Sequence, residues 1–284
     1  MKVLAVGAAG ASAGMVVPEL VRRGVRVRGL VHDESRAGQA RRNGAAETVV
    51  ADLTDLAALT RACEGVDGVF GIIPAFAEDE ARIGTTMVEA AVRAGVRKFV
   101  FSGVYHPTTS ALSNHRGKQP AEAALYDSGL DFTVLQPAIF MQQLTGLWQS
   151  ARRTGTIAMP YSADARMAYV DYRDVAEVAA ESLVGDRFSG GTFELSSPGT
   201  HSREDLARLM GDVLGTEVTA ESPDFDAWAD AANLPAGPVR DGLKVMNQHY
   251  DRHGFHGGNA LVLTAALGRE PRTVRGFVEE LARS

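Results

Sequence analysis

The sequence predicts an α/β fold, a doubly wound parallel sheet of the Rossmann type with a smaller, mainly helical C-terminal cap. Three observations lead to this prediction. Short apolar runs alternate with helical segments, several runs are apolar throughout, and a glycine-rich turn follows the first run. Strands that are apolar on both faces are typical of parallel sheets covered by helices. Strand–helix alternation at this spacing indicates right-handed βαβ units.

The first half of the chain supplies most of the predicted sheet. Strands are expected at residues 2–7, 25–31, 47–50, 68–73, 98–102 and 132–135. Helices are expected at residues 13–23, 34–42, 55–63, 78–94 and 118–128. We assign residues 1–154 to one nucleotide-binding type of domain on this pattern.

The alternation breaks after about residue 150. Short strands are expected at 155–159 and 192–195, and helices at 171–183 and 203–214, the last ended by Gly215. The remainder is expected to be helical, with glycine and proline breaks. Residues 155–284 are therefore predicted to form a cap that partly returns to the sheet.

Composition limits the classes of protein and partner. The 284 residues are 45% hydrophobic and 23% charged, as in ordinary globular proteins, and the net charge is −6. An acidic chain is a poor partner for nucleic acid. The single cysteine, Cys63, excludes an internal disulfide and is expected to be a buried packing residue.

The N-terminal segment could be mistaken for a secretory signal, because Lys2 precedes an apolar stretch that contains Ala-Ser-Ala at 11–13. Glycines interrupt this stretch, and it continues as an amphipathic helix to Arg23, which favours a folded element. No apolar run reaches the length that spans a bilayer. We expect a cytoplasmic protein without membrane or nucleic-acid partners, either monomeric or homodimeric.

A glycine-rich turn joins the first strand to the first helix. In a dinucleotide-binding fold, Gly7 permits the tight turn, Gly10 lets the backbone approach a pyrophosphate, and a small residue at Ala13 allows close packing. The intervening Ala9, Ala11 and Ser12 would line the same turn, and the helix N-terminus would face the phosphates. The strand–turn–helix context makes this motif more specific than the glycines alone.

These residues resemble the NmrA-like group of atypical short-chain dehydrogenases/reductases. The resemblance extends to Lys118 and to segments 30–33, 51–55, 101–105, 136–141 and 170–176. The resemblance covers at least residues 1–200. The third glycine of the family's turn is Ala13 here, with Gly14 one place later. The resemblance implies a bound NAD(P) cofactor and does not specify a reaction.

The end of the second strand indicates the choice of cofactor. An acidic residue there binds the ribose hydroxyls of NAD and repels a 2′-phosphate. The resemblance places that position at Val31, which is followed by His32. Asp33 lies two residues beyond that position. His32, Arg36 and Arg41 offer donors to a phosphate, so NADP(H) is predicted over NAD(H). A solvated turn is the alternative role of His32.

Further cofactor contacts are expected along the same edge of the sheet. By the resemblance, Asp52 would accept from the adenine amino group and Leu53 would cover the ring. The alternative role of Asp52 is to cap the helix that begins near Asp55. Ile73 and Pro74, at the end of the fourth strand, would lie beside the cofactor.

The catalytic pair of the short-chain reductases is incomplete. The family usually pairs a tyrosine with a lysine four residues later, and the lysine binds the nicotinamide ribose. Here Lys118 is present, but Asn114 stands where the tyrosine belongs. Lys118 is therefore predicted to bind the cofactor, with a solvated lysine as the alternative. Ser102 matches the family's serine position approximately and could orient a carbonyl.

The proton donor is open. Tyr105 and His106 follow the fifth strand, where substrate is expected, and Tyr105 joins Lys118 and Ser102 as a candidate catalytic residue. His115 lies one residue out of register, about 100° round a helix. Tyr161 and Tyr169 belong to the cap, and each of these residues alone could equally be a packing residue.

The predicted substrate pocket is apolar. Gln136 and Pro137 would border the nicotinamide, and Phe140 and Met141 would line the pocket. Its other contacts would be Tyr105, His106 and Tyr161, which are also candidate acids. A small apolar carbonyl, quinone or enone is the expected substrate.

Three functions remain compatible with the sequence. The first is an NAD(P)H-dependent reductase. The second is a non-catalytic NAD(P)-binding redox sensor acting through a protein partner, as in NmrA-like regulators, and Asn114 fits it. The third, an epimerase that keeps NAD bound, is less compatible without the tyrosine.

No metal site is predicted. His249, His253 and His256 suggest one superficially. Tyr250, however, stands where a zinc protease needs its glutamate, and Gly254 interrupts the helix before His256.

Overall fold

The computed structural model describes residues 1–284, and its main element is a seven-stranded sheet. The strands of the chain are β1 (Lys2–Val6), β2 (Arg26–Val31), β3 (Glu47–Val50), β4 (Gly68–Ile72), β5 (Lys98–Ser102), β6 (Asp131–Pro137), β7 (Ile139–Phe140), β8 (Thr156–Ala158), β9 (Met167–Val170), β10 (Gly191–Leu195), β11 (Thr200–His201) and β12 (Thr219–Glu221). The large sheet has the order β10-β6-β5-β4-β1-β2-β3, and its strands from β1 to β6 pair in parallel. The order reverses between β1 and β4, so the predicted doubly wound sheet is confirmed.

Helices connect these strands and make up most of the C-terminal region. They are α1 (Ala13–Arg22), α2 (Ala37–Arg42), α3 (Leu56–Cys63), α4 (Glu80–Arg93), α5 (Ser113–Arg116), α6 (Gln119–Asp127), α7 (Leu144–Thr154), α8 (Tyr172–Val184), α9 (Arg203–Leu214), α10 (Phe225–Ala231), α11 (Pro238–His253), α12 (Leu261–Leu267) and α13 (Val274–Arg283). Two 3₁₀ turns lie at Glu34–Arg36 and Met141–Gln143. None of the helices combines the length and the apolar character that crossing a bilayer requires.

Side-chain caps explain where two of the predicted helices begin. Asp55 caps α3 by accepting a hydrogen bond from Ala58 N at 2.9 Å. Asp79 caps α4 in the same way, through Arg82 N. The alternative role of Asp52 as the cap of the third helix is therefore wrong, because Asp55 occupies that position.

The chain forms two compact units. The sheet unit comprises Met1–Thr109, Asn114–Gln136 and Val175–Glu194. The second unit comprises Ser110–Ser113, Pro137–Asp174 and Leu195–Ser284, and it holds the small sheets β11-β9-β7 and β12-β8. The domain boundary predicted at residue 154 stays a prediction.

The core of the sheet unit consists of the apolar strands and the helix faces that cover them. Phe70, Phe99 and Phe101 are fully buried on β4 and β5. Gly71 leaves room for the Phe99 ring, since a Cβ at this glycine would lie 2.7 Å from it. Cys63 is buried on α3, and burial raises the pKa of its thiol to about 12, which keeps the thiol protonated.

Candidate functional site

The turn between β1 and α1 is closed by backbone hydrogen bonds. Gly7 has a φ of +70°, a conformation that glycine adopts without strain. Gly10 N donates to Gly7 O at 2.7 Å, and Gly7 N donates to Leu30 O at 3.0 Å. Ser12 precedes α1 without capping it through its side chain. In the first turn of α1, Gly14 N donates to Gly10 O and Met15 N to Ser12 O, and the positive end of the helix dipole favours an anion here.

Asn43, at the C-terminal end of α2, contacts this turn. Asn43 Nδ2 donates to Ala8 O at 2.9 Å, and a Cβ at Gly14 would lie 2.6 Å from that nitrogen. Arg36 Nη2 donates to Ala9 O at 3.1 Å. Gly14 therefore leaves room for the Asn43 amide, which a Cβ at this position would displace. Ala13, expected to serve close packing, is buried beside it.

A cleft of 510 Å³ lies beside the glycine turn. Two guanidinium groups and no carboxylate line it; its walls include Gly10, Ala11, Ser35, Arg36, Gln39 and Arg42. Positive charge next to a helix N-terminus favours a phosphorylated ligand. Arg36 was expected here from the sequence. Arg42 was missed, because nothing in the sequence shows which face of the short α2 meets the turn.

Two other residues that were predicted to donate to a phosphate, Arg41 and His32, do not line this cleft. Arg41 donates to Thr48 Oγ1 at 2.8 Å. His32 is exposed and pairs with Asp33, at 2.5 Å between Nε2 and Oδ2. A hydrogen bond from the Ser35 hydroxyl lowers the pKa of Asp33, which keeps this carboxylate charged.

The predicted adenine contacts follow β3. Asp52 is exposed and accepts hydrogen bonds from Thr54 N and Thr54 Oγ1, both at 2.8 Å and both to Oδ1. The backbone bond from Thr54 is the main cause that lowers the pKa of Asp52. Leu53 packs partly against the apolar core. The bonds of Thr54 fix the Asp52 carboxylate at the edge of the sheet.

Lys118 is buried in an ion pair that the sequence did not reveal. Its Nζ donates to Glu80 Oε2 at 2.6 Å and to Asn114 O at 3.0 Å. Glu80 Oε1 accepts from Phe76 N at 2.6 Å. Phe76 lies in the loop after β4, close in sequence to Ile73 and Pro74, and its φ is +59°. The solvated-lysine alternative for Lys118 is wrong, since both charged side chains are about 6% exposed.

The close packing of α4 and α6 makes this ion pair possible. A Cβ at Gly84 would lie 2.5 Å from Ala121 Cβ, so the two helices approach at a glycine. Glu80 begins α4, and Lys118 directly precedes α6. The pair therefore ties the loop after β4 to the start of α6, at the carboxyl edge of the sheet.

Asn114 leaves a buried acceptor without a partner. Its side chain is buried, and its Oδ1 has no hydrogen-bond donor within the protein. A buried polar atom that lacks a partner costs about 1–3 kcal/mol. The backbone oxygen of the same residue accepts from Lys118, so the orphan Oδ1 lies on the residue that contacts the ammonium group.

The end of β5 carries the other candidate catalytic groups. Ser102 is fully buried, and Tyr105 is nearly so. Burial, with the charge of Glu194 as a smaller cause, raises the pKa of Tyr105. His106 Nδ1 lies 2.9 Å from Glu194 Oε1, a partner on β10 that sequence analysis missed. His115 is buried, and its Nδ1–H donates to the His106 carbonyl at 3.0 Å.

The amide of Gln136, near the end of β6, contacts the carboxyl group of Glu122 on α6. Gln136 Nε2 donates to Glu122, at 2.9 Å to Oε2 and 3.1 Å to Oε1. Burial raises the pKa of Glu122, and the bond from Gln136 offsets this only in part. A Cβ at Gly103 would lie 2.8 Å from Glu122 Oε1.

The remaining predicted substrate residues belong to the second unit. Phe140 is half-buried and its ring contacts Tyr172 edge to face at 4.6 Å, while Met141 is fully buried. Tyr161 is buried under Arg203, whose guanidinium carbon lies 4.8 Å from the ring centre. Burial raises the pKa of Tyr161, which keeps its hydroxyl protonated. Pro137 ends β6 and is also buried.

Two of the three histidines singled out in the sequence, His249 and His253, lie on α11. The rings of His249 and His253 lie 4.8 Å apart. No group of three or more histidine, cysteine, aspartate or glutamate side chains is arranged to hold an ion.

Comparison with known proteins agrees with this arrangement of the sheet. The chain is 28% identical over 217 residues to an NAD(P)H azoreductase from Xenophilus azovorans, covering 76% of this chain and 75% of the relative. An NADPH-dependent quinone oxidoreductase from Escherichia coli, solved in complex with NADPH, has a TM-score of 0.84 at 22% identity, with 99% of both chains covered. NmrA, a negative transcriptional regulator solved with NADP, has a TM-score of 0.79 at 18% identity, covering 99% of this chain and 95% of its own.

The two solved structures share the fold of this chain. The sequence profile of the NmrA-like family matches residues 1–278, which is nearly the whole chain. The resemblance inferred from the glycine turn and the later motifs is thereby confirmed, and the chain is a member of the NmrA-like family.

Proposed function

We propose that this protein is an NADP(H)-dependent reductase of a small apolar carbonyl, quinone or enone. The observation that carries the proposal is the cleft beside the glycine turn, lined by Arg36 and Arg42 and by no carboxylate. Guanidinium groups bind phosphate through paired, charge-assisted hydrogen bonds, which favours a dinucleotide with a 2′-phosphate.

The residues present fit such a dinucleotide. The turn between Gly7 and Ser12, with the N-terminus of α1, holds the pyrophosphate, and Arg36 and Arg42 pair with the 2′-phosphate. Asp52 and Leu53 bind the adenine. The remaining donor of Lys118 and the orphan Asn114 Oδ1 suit the hydroxyl groups of a ribose. The sequence expectation that Lys118 binds the cofactor is retained in this proposal.

The bound dinucleotide supplies a hydride, and the protein supplies binding, orientation and a proton. Glu80 and the Asn114 carbonyl position the ammonium group of Lys118. Ser102 and Tyr105, both buried at the end of β5, line the same edge of the sheet. The azoreductase and the quinone oxidoreductase described above are reductases by name, which supports this class of reaction.

A second candidate function is an NADP(H)-binding sensor that acts on a protein partner. The observation in its favour is Asn114, which replaces the tyrosine that donates the proton in related reductases. The similarity to the NmrA regulator supports it as well. A sensor needs the same binding residues and no proton donor.

Fluorescence and absorbance measurements separate the two functions. Purified protein should shift the fluorescence of NADPH at lower concentrations than that of NADH. With a panel of quinones and enones, a reductase oxidises NADPH and the absorbance at 340 nm falls. Tight binding of NADPH without turnover across the panel would favour the sensor. No binding of either dinucleotide at millimolar concentration would contradict both.

A further inference from the structure

A chain of hydrogen bonds connects the cleft to the glycine turn. Arg42 donates to Gln39 Oε1 from Nη2 at 2.7 Å and from Nε at 3.2 Å. Gln39 Nε2 donates to Asn43 Oδ1 at 2.9 Å. Asn43 Nδ2 donates in turn to Ala8 O, also at 2.9 Å. We call this chain, from the Arg42 guanidinium through two amides to the Ala8 carbonyl, the amide relay.

The direction of the amide relay is fixed at both ends. A guanidinium group can only donate and a backbone carbonyl can only accept, so each amide between them accepts on one side and donates on the other. If the amide of Gln39 were turned over, two donors would face each other at Arg42 and two acceptors would face each other at Asn43. A carboxylate cannot replace either amide, because it has no hydrogen to donate.

The spacing along α2 brings the three side chains together. Gln39 lies three residues before Arg42 and four before Asn43, which directly follows the helix, so these side chains share one face. All three line the cleft beside the glycine turn. Gln39 and Asn43 are half-buried, whereas Arg42 is exposed. An exposed arginine has many rotamers, and the two bonds to Gln39 restrict this one.

The other end of the amide relay orients a peptide group of the turn. In a trans peptide, the C=O and N–H groups point in opposite directions. Asn43 holds the carbonyl of Ala8, so the N–H of Ala9, in the same peptide group, points away from Asn43. That N–H makes none of the backbone hydrogen bonds that close the turn. Ala9 lines the cleft, so its N–H is a donor for an anionic group bound there.

Gly14 provides the space for this contact. A Cβ at Gly14 would lie 2.6 Å from Asn43 Nδ2 and 3.4 Å from Ala8 O, the two atoms that form the bond. The turn has Ala13 where the third glycine is expected, and its glycine comes one place later, at Gly14. The shifted glycine therefore has a physical role, which is to leave room for the amide relay.

We propose that Gln39 and Asn43 are positioning residues for the dinucleotide, an inference that rests on the cofactor site proposed above. Gln39 holds the Arg42 guanidinium, whose remaining N–H groups bind the 2′-phosphate. Asn43 holds the turn peptide, whose N–H binds the pyrophosphate. Gln39 thus contributes to the preference for NADPH over NADH, although it carries no charge.

Fluorescence titrations with NADPH and NADH test the role of Gln39. Gln39→Met keeps the length of the side chain and removes both hydrogen bonds. The affinity for NADPH should fall about three- to tenfold, because the ligand must then immobilise a free arginine side chain, and the affinity for NADH should fall less. Gln39→Glu cannot donate to Asn43, and its charge repels a 2′-phosphate, so the loss of NADPH affinity should be larger still.

A double-variant comparison shows whether Gln39 acts through Arg42. Arg42→Ala should lower the ratio of NADPH affinity to NADH affinity. In that background, Gln39→Met should leave the ratio unchanged, because there is no guanidinium group left to hold. A ratio that Gln39→Met leaves at the wild-type value in the otherwise unaltered protein overturns the role of Gln39.

The pyrophosphate is common to both dinucleotides, so the other end of the relay has a different signature. Asn43→Ala should weaken NADPH and NADH alike, about three- to tenfold. Gly14→Ala should also weaken both, although alanine favours a helix more than glycine does. Gly14→Ala combined with Asn43→Ala should bind like Asn43→Ala alone, since the added methyl group then meets no amide. Wild-type affinity in Asn43→Ala overturns the role of Asn43, and additive losses in the combined variant overturn that of Gly14.

A control and the wild type separate this inference from the proposed function. Gln248 is exposed on α11, and Gln248→Met should change neither dissociation constant. Thermal melts verify that each variant is folded. A wild type that prefers NADPH, with Gln39→Met and Asn43→Ala variants that bind both dinucleotides like the wild type, overturns the amide relay alone. A wild type that binds NADPH no more tightly than NADH overturns the proposed cofactor and, with it, the role of Gln39.

Discussion

The buried ion pair between Lys118 and Glu80 provides a test of the candidate site that combines stability with ligand binding. The two charged groups are 2.6 Å apart, and each side chain is 6% exposed. Lys118→Met removes the ammonium group and leaves Glu80 with only the N–H of Phe76. Glu80→Gln instead leaves a buried ammonium group without a carboxylate.

The expected loss of stability follows from this burial. Breaking a buried ion pair on one side costs about 3–5 kcal/mol, because the other charge remains buried and uncompensated. At about 2–4 °C per kcal/mol for a chain of this size, Lys118→Met should melt about 10 °C below the wild type. The double variant, Glu80→Gln with Lys118→Met, removes both charges. Its loss should be smaller than the sum of the single losses by about 2 kcal/mol.

Ligand binding should not follow stability in this series. Lys118→Met should weaken NADPH binding about 10-fold or more, because a hydrogen bond from a charged donor contributes about 1.5–3 kcal/mol. Compared with Lys118→Met, the double variant should recover part of the lost stability but none of the lost NADPH affinity. Glu80→Gln keeps the ammonium group and should bind NADPH more tightly than Lys118→Met or the double variant. Thermal melts and NADPH fluorescence titrations measure the two quantities separately.

A surface pair provides the matched control. Lys244 pairs with Asp226 at 2.7 Å, and these side chains are 42% and 54% exposed. Lys244→Met should therefore cost less than about 1 kcal/mol. A Lys118→Met variant that melts with the wild type would refute the buried pair. A double variant with wild-type NADPH affinity would refute the role of Lys118 at the ribose.

Three further predictions concern the cleft, the turn and the carboxyl group between β5 and β6. Arg36→Ala should weaken NADPH binding about 10-fold and leave NADH binding within about twofold; equal losses in fluorescence titrations would exclude a 2′-phosphate contact. Gly7 and Gly65 have φ values of +70° and +68° and room for a Cβ, so each change to Ala should cost about 1–2 kcal/mol. Only Gly7→Ala should also reduce NADPH affinity, and equal affinities would place the pyrophosphate elsewhere. Burial raises the pKa of Glu122, so its ionisation destabilises the fold as the pH rises above the unfolded value of about 4.3. The melting temperature of Glu122→Gln, relative to that of the wild type, should therefore increase from pH 4 to pH 8. A difference in melting temperature that stays constant over this range would contradict this.

The sheet could be predicted from the sequence because its signals are local. Each strand from β1 to β6 is a short run with turn residues at its ends, and the first turn has a spacing of glycines that few other structures need. Strand β9 was missed. It is four residues long and is stabilised by pairing with β7 and β11, which lie far from it in the chain. A local sequence pattern does not indicate pairing with strands that are distant in the chain.

The site was predicted in part, for the same physical reason. Gly10 belongs to a local motif and Arg36 follows the second strand, and the structure brings both to one cleft. Glu80 and Glu194 were missed, because they meet Lys118 and His106 only after the chain folds. An acidic residue in a helix or an edge strand is usually a solvated residue, and no spacing distinguishes these two from the others.

The predicted replacement of the family's tyrosine by Asn114 bears on binding more than on chemistry. Its Oδ1 is a buried acceptor with no donor in the protein, and it lies on the residue whose carbonyl holds Lys118. A hydroxyl group of a bound ribose would satisfy it, and a reductase and a sensor would gain equally from that bond. The orphan Oδ1 therefore does not decide between the two functions. The decision depends on whether another residue can deliver a proton at the same edge.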